Sequence, residues 1–249
     1  MLRFEHVSRS YGSRLAVDDL QLEIKAGQLY ALLGHNGAGK TTTIKMLVGL
    51  LRPGQGVITV GSYDAVEHPR EVSRLIGYVP DQPFLYDKLS AREFLQFVAD
   101  MYGLSAAAGA AAVAREIERF HLGDFADRLA ESYSHGMRQR TVFAAALIHD
   151  PEVLVVDEPM VGLDPQSIKL VKDLLQSYVR DGRTVLMSTH TLAVAEEIAD
   201  RVGVMKTGKL MFDGRVETLR DVVEGTDGSL EAMYLAMMER LDGPAPASE

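Results

Sequence analysis

The stretch Gly34-His35-Asn36-Gly37-Ala38-Gly39-Lys40-Thr41-Thr42 restricts this chain more than any other. It follows the apolar run Leu29-Tyr30-Ala31-Leu32-Leu33 and leads into Thr43-Ile44-Lys45-Met46-Leu47. A buried strand, a glycine loop and a Lys-Thr pair opening a helix are the context that a phosphate-binding P-loop requires. Glycines let the backbone curl so that successive N–H groups point inward at phosphate oxygens. The helix that follows adds its unpaired amides and the positive end of its dipole. Lys40 is then expected to neutralise the β/γ-phosphates, and the Thr41 hydroxyl to hold Mg²⁺.

The rest of the chain reads as an α/β protein built around that loop. Leu2–Val7 and Leu15–Ile24 alternate as strands of an antiparallel sheet, joined through the turn Ser10-Tyr11-Gly12-Ser13. Val57–Val60 is a further short strand, and Leu75 to Val79 is expected as a buried strand ended by Pro80. From Ser90 to about Ile148 only helical pattern is found: a capping box at Ser90-Ala91-Arg92-Glu93, an alanine-rich helix over 106–120, and a third helix from Met137. Residues 84–148 are therefore expected to be a helical subdomain inserted in the core. The core resumes at Val153–Asp157. It continues through a helix capped by Asp164-Pro165, the strand Thr184–Ser188, a helix over 191–199 and a terminal hairpin of Val202–Met205 with Lys209–Phe212. Strands alternating with helices predict a mainly parallel sheet beside the antiparallel N-terminal part. Residues 1–225 are expected to form the main domain. Residues 226–249 are expected as a helix with Leu230, Met233, Tyr234, Met237, Met238 and Leu241 on one side, then a disordered tail over Gly243–Glu249.

Composition narrows the function. The 249 residues carry a formal charge of −9 without a basic cluster, which argues against a nucleic-acid partner. With no cysteine, disulfides, thiol catalysis and cysteine-ligated zinc are excluded. No apolar run approaches the length of a membrane span, and Met1 to Arg9 has no signal-peptide core. A cytoplasmic protein is expected, with any membrane role coming through a partner.

Two more carboxylates and a histidine fall where open α/β sheets place their ligands, at the carboxyl ends of buried strands. Asp157-Glu158 ends Val153-Leu154-Val155-Val156, and His190 follows Ser188-Thr189. One carboxylate there can reach Mg²⁺ and the next can orient the attacking water. Alone, the pair also fits a solvated acidic turn, and His190 a structural histidine. Ser134-His135-Gly136-Met137 opens a helix with a capping serine, making a second anion site. One nucleotide rarely needs two such cradles, whereas a symmetric dimer can place each chain's helix end over its partner's P-loop.

Taken together these residues resemble the nucleotide-binding subunits of ABC transporters across nearly the whole chain, and so a P-loop NTPase fold of ABC type. Gly34–Thr42 is similar to their Walker A motif, with Gly34, Asn36, Gly37, Ala38, Gly39, Lys40, Thr41 and Thr42 as the implied ATP contacts. Val153–Glu158 is similar to Walker B, Tyr133–Met137 to the signature, Gly162-Leu163-Asp164 to the D-loop, His190 to the switch histidine and Tyr11 to the aromatic that stacks on adenine. The resemblance implies Glu158 and His190 as catalytic residues and Thr41 and Asp157 around Mg²⁺. It also implies Ser134, His135, Gly136 and Met137 acting on the partner's ATP. There are three departures. Tyr133, His135 and Met137 stand where the family has Leu, Gly and Gln; Asp81, followed by Gln82, stands where it has a glutamine, so either could serve Mg²⁺; and the D-loop begins with Gly162 rather than a hydroxyl residue. The Tyr-Ser-His-Gly signature, Gly-Leu-Asp-Pro and Leu-Glu-x-x-Tyr-Leu (Leu230 to Leu235) are similar to exporters whose ATPase and permease are separate chains. That implies an ATPase homodimer on the cytoplasmic face of the membrane, bound to two permease subunits. Phe84, Leu85, Tyr86 and Phe94 are the candidate contacts, although core packing is an equal reading for Phe94 and Phe97. The alternative is a soluble ABC-type ATPase that drives an assembly or translation step.

Overall fold

A computed structural model describes residues 1–216, 218 and 230–242, with side chains through Ala236. The expected boundary at 225/226, the side chains of Met237, Met238 and Leu241, and the expected disorder of Gly243–Glu249 lie outside the described residues.

Two sheets organise the chain. The first is antiparallel, with order β2-β1-β4-β5: β1 (Leu2–Tyr11), β2 (Arg14–Ile24), β4 (Gln55–Val60) and the two-residue β5 (Tyr63–Asp64). The second has order β10-β9-β3-β8-β7-β6: β3 (Leu29–Leu33), β6 (Ile76–Val79), β7 (Val153–Asp157), β8 (Thr184–Thr189), β9 (Arg201–Lys206) and β10 (Lys209–Gly214). Every neighbouring pair in it is parallel except β9 with β10. Strands β3, β7 and β8 are buried along their whole length, which is why they read as unbroken apolar runs rather than alternating ones.

Side-chain alternation along those strands divides the interior into two layers. Tyr30, Leu32, Val153, Val155 and Leu186 face the antiparallel sheet, packing with Phe4, Leu20, Ile58 and Ile44 of α1 (Lys40–Leu47). Leu29, Ala31, Leu33, Leu154, Val156 and Met187 face the opposite layer of helices. That layer holds α3 (Ala91–Met101), α4 (Ala106–Arg119), α5 (His135–Leu147), α6 (Pro165–Arg180), α7 (Leu192–Ile198) and the C-terminal α8 (Leu230–Asp242).

In the segment expected to be helical, α3 begins at a complete capping box between Ser90 and Glu93. Glu116 on α4 is fully buried and is held by Arg115 at 2.6 Å and Arg119 at 3.4 Å. Tyr133, which replaces the family's leucine, is a buried anchor. Its hydroxyl accepts from the Ala91 amide and lies 2.9 Å from the Phe125 and Arg128 carbonyls, fixing the chain just before α5.

Several expectations need correcting. The structure adds β5 and α2 (Pro69–Leu75), a seven-residue helix that begins with a proline at its first position. Leu75 closes that helix, so the strand starts at Ile76. The third helix of the segment starts at His135, two residues before the expected Met137. Leu85 is only 4% exposed and belongs to the core, while Phe84 is 69% exposed.

Candidate functional site

Strand order brings the expected residues together. β8 lies between β3 and β7, with Leu33 opposite Thr189 and Asp157 opposite Ser188. The P-loop leaves β3, the Asp157-Glu158 pair ends β7 and His190 follows β8, so all three meet at one carboxyl edge.

The loop itself is packed from below. Gly39, immediately before α1, has φ 113°, and a Cβ there would stand 2.6 Å from the Ala16 carbonyl oxygen of β2. Only glycine fits. The turn between β9 and β10 adds two hydrogen bonds, from the Gly208 amide to the Ala38 carbonyl and from the Asp18 amide to the Gly208 carbonyl. Within the loop the Ala38 amide donates to the His35 carbonyl at 3.1 Å. Lys40, 5% exposed, donates from Nζ to the Gly34 carbonyl at 2.6 Å and lies 3.3 Å from Glu158 Oε1.

The two carboxylates differ. Asp157 is fully buried. Its Oδ1 accepts from the Ser188 hydroxyl and, at 3.4 Å, from Thr41 Oγ1, while its Oδ2 is buried with no partner. Burial pushes its pKa up, and the Ser188 and Thr41 hydroxyls oppose that. An orphaned buried carboxylate oxygen beside a threonine hydroxyl is a costly arrangement that a cation would relieve, so these residues fit Mg²⁺. Glu158 turns away, with φ 50°, and its amide donates to Ser188. Its Oε2 lies 2.8 Å from His190 Nδ1 and accepts from the His190 amide at 3.3 Å. Glu158 thus joins Lys40 on one side to His190 on the other.

A cleft of about 590 Å³ lies over this edge, lined by the loop from His35 to Thr42 together with Tyr11, Arg14, Ala16, Asp81 and Glu158. Tyr11 stands half exposed at its margin, with the Arg9 guanidinium 5.6 Å from its ring centre. Asp81 faces the cleft, while Gln82 is absent from its lining and gives its amide to the Asp81 carboxylate at 2.9 Å.

Ser134, His135, Gly136, Met137 and Asp164 do not line this cleft. Ser134 caps α5 by accepting from the Met137 amide. His135 Nε2 lies 3.3 Å from the Val161 carbonyl, its ring packed against Gly162. Met137 is half buried against the helical core. Asp164 caps α6, accepting from the Gln166 and Ser167 amides and from the Ser167 hydroxyl, which chiefly pulls its pKa down. The signature and D-loop form a cluster of their own, with His135 on Gly162 and Gly136 beside Asp164.

Sequence reasoning missed Ser188, which bridges Asp157 and the Glu158 amide, and Arg14, which lies over the loop at Gly37. Their signals were present, a hydroxyl two residues before His190 and a cation three after Tyr11, but neither has a partner nearby in sequence.

Comparison with known proteins gives one consistent result. The family model described as "ABC transporter" matches residues 17–161. The ABC transporter ATP-binding protein NatA of Bacillus subtilis is 37% identical over 90% of this chain and 91% of its own. The Nod factor export ATP-binding protein I of Burkholderia orbicola is 38% identical over 90% of this chain and 74% of its own. A solved ATP-binding subunit of an ABC transporter superposes with TM-score 0.89 at 30% identity, covering 96% of this chain and all of that one.

Proposed function

The chain belongs to the ABC transporter family as an ATP-binding, ATP-hydrolysing subunit, and from that premise we propose that two copies close head-to-tail around two ATP–Mg²⁺ to drive two membrane-spanning permease subunits in an exporter. The observation that carries the reading is the meeting of Lys40, Asp157, Glu158 and His190 at the carboxyl ends of three adjacent strands.

In this reading the amides from Asn36 to Thr42, with Gly34 opening the loop, surround the phosphates, and Lys40 gives up its Glu158 pairing for the stronger anion. Tyr11 supports the adenine. Thr41, Asp157 and Asp81 would hold Mg²⁺, with Gln82 the lesser candidate since of the pair only Asp81 lines the cleft. The bound ion would supply positive charge to the phosphate oxygens. Glu158 polarises the attacking water, and His190, hydrogen-bonded to it, steadies the γ-phosphate end. Lys40 and the loop amides balance charge as it moves to the leaving oxygen.

Ser134, His135, Gly136 and Met137, with Asp164 beside them, are assigned to the ATP held by the partner copy. The free amides at the start of α5 support this, because they lie outside the cleft of their own chain. For the permease, support comes from an apolar groove of about 310 Å³ lined by Leu50, Tyr78, Phe84, Phe94, Val98 and Tyr102. Leu50 is 65% exposed there, and Tyr86 and Phe97 extend the exposed surface. Among the described residues no helix is long and apolar enough to cross a membrane, so the proposed place at the cytoplasmic face comes through the permeases. The relative named for Nod factor export supports the direction.

Purification from solubilised membranes tests the assembly. The expected result is a complex with a multi-span protein that is lost when Phe84 and Leu50 are changed to Asp. Recovery only as a free soluble protein would favour the permease-independent ATPase.

A further inference from the structure

The C-terminal helix reaches back to the P-loop. Leu230 and Met233 of α8 are fully buried and Tyr234 is 3% exposed, all in the core layer of the helices. The Leu230 amide donates to Glu196 Oε1 on α7 at 3.3 Å, and α7 begins two residues after His190. From this anchorage Tyr234 meets His35 edge to face, with ring centres 5.4 Å apart and planes at 68°. Burial raises the Tyr234 pKa, and a hydrogen bond from the His35 backbone opposes the rise.

His35 ties the loop together. Its carbonyl accepts from the Ala38 amide at 3.1 Å and from Lys40 Nζ at 3.5 Å, so the orientation of this peptide is shared with the loop's first turn and with the lysine. His35 lines the cleft, and among the described residues Tyr234 is the aromatic ring that meets it. Loops that bind phosphate through backbone amides depend on those amides being aimed beforehand, because ordering them at the moment of binding subtracts from affinity.

We propose that Tyr234 is a positioning residue for the P-loop: the C-terminal helix holds the His35 peptide in the phosphate-binding conformation and thereby sets nucleotide affinity. The inference rests on the reading of Gly34–Thr42 as the ATP site. It makes α8 part of the nucleotide machinery while none of its described side chains lines the cleft.

The test measures KM and kcat for ATP, with direct binding of a fluorescent ATP analogue, in Tyr234→Ala, Tyr234→Phe and Lys40→Ala. Tyr234→Ala is expected to raise KM and the analogue's Kd about fivefold while kcat stays within about twofold. Tyr234→Phe keeps the ring on His35 and loses only the hydroxyl, so a rise of about twofold is expected. A fall in kcat with KM unchanged would mean that Tyr234 serves only the stability of the fold, and would overturn the proposal. If Tyr234→Ala does not fold, Tyr234→Phe decides alone, and an unchanged Kd there is the contrary result. Full analogue binding by Lys40→Ala would instead remove the loop as the ATP site and take the proposal with it.

Discussion

The P-loop after β3 and the helix end at Ser134 both offer unpaired amides to an anion, but they are built in opposite ways. The first is packed from below: Gly39 has no room for a Cβ, Lys40 is buried, and Asp157 is held by the Ser188 hydroxyl of β8 and the Thr41 hydroxyl of α1. The second is a surface feature, whose contacts are a serine cap, the His135 ring on Gly162 and the self-contained Asp164 cap. The first gathers its groups from three strands of one chain; the second does not line that chain's cleft. The difference teaches that sheet topology can impose a site's geometry in a single molecule, whereas a helix end acquires its role only from what another molecule brings to it.

The comparison can be broken at either end. The largest effect is expected at the buried edge. Asp157→Asn should lower ATP turnover by about a hundredfold or more, because the orphaned Oδ2 loses its charge. The same change should leave the protein without nucleotide more stable by roughly 1 kcal/mol, since a buried charge is removed. Thermal unfolding without Mg²⁺ and steady-state ATPase read the two sides. A variant both less active and less stable would mean that Asp157 is structural.

At the surface cluster a smaller effect is expected. Gly162 has φ 73°, and a Cβ there would lie 3.1 Å from His135 Nε2, so two departures from the family pattern touch each other. Gly162→Ser should reduce ATPase activity by about tenfold, and adding His135→Gly should recover part of it. Strictly multiplicative losses in a double-mutant cycle would show the two positions to be independent. The smallest effect concerns the cleft margin. Asp81→Ala should weaken Mg²⁺ dependence by about threefold to fivefold and Gln82→Ala by less, since of the two only Asp81 lines the cleft. The reverse order in Mg²⁺ titrations of ATPase rate would hand the position to Gln82.

The two regions also differ in how far they could be read from the sequence. The P-loop, Walker B run and switch strand were legible because a strand buried on both faces is a short apolar run, and its carboxyl end falls at a fixed place. The alternation of strands and helices predicts that these strands run parallel, but not the order that puts β8 between β3 and β7. Less was legible where short elements depend on tertiary contacts. α2 has seven residues and only Val72 buried, too few to mark a periodic face. Leu85 and Phe84 are neighbours of equal hydrophobicity, and only the path of the loop after Pro80 decides which one is buried. The choice between Asp81 and Gln82 turns on the same backbone path. Contacts such as Tyr234 with His35, or His135 with Gly162, join residues far apart in sequence, and no local pattern announces them.

In the proposed dimer the Gly34–Thr42 loop is half of a site, completed by the Ser134 helix end of a second copy. Light scattering of Glu158→Gln with ATP and Mg²⁺ tests it most directly. Gln keeps the shape of Glu158 but cannot polarise water as a carboxylate does, so turnover should fall by about a hundredfold or more while ATP stays bound. The expected mass is twice the 27.3 kDa of one chain, returning to a single chain when Gly136→Arg is added to block the partner's phosphates. A Glu158→Gln protein that binds ATP yet stays monomeric, or a dimer indifferent to Gly136→Arg, would contradict the proposed dimer.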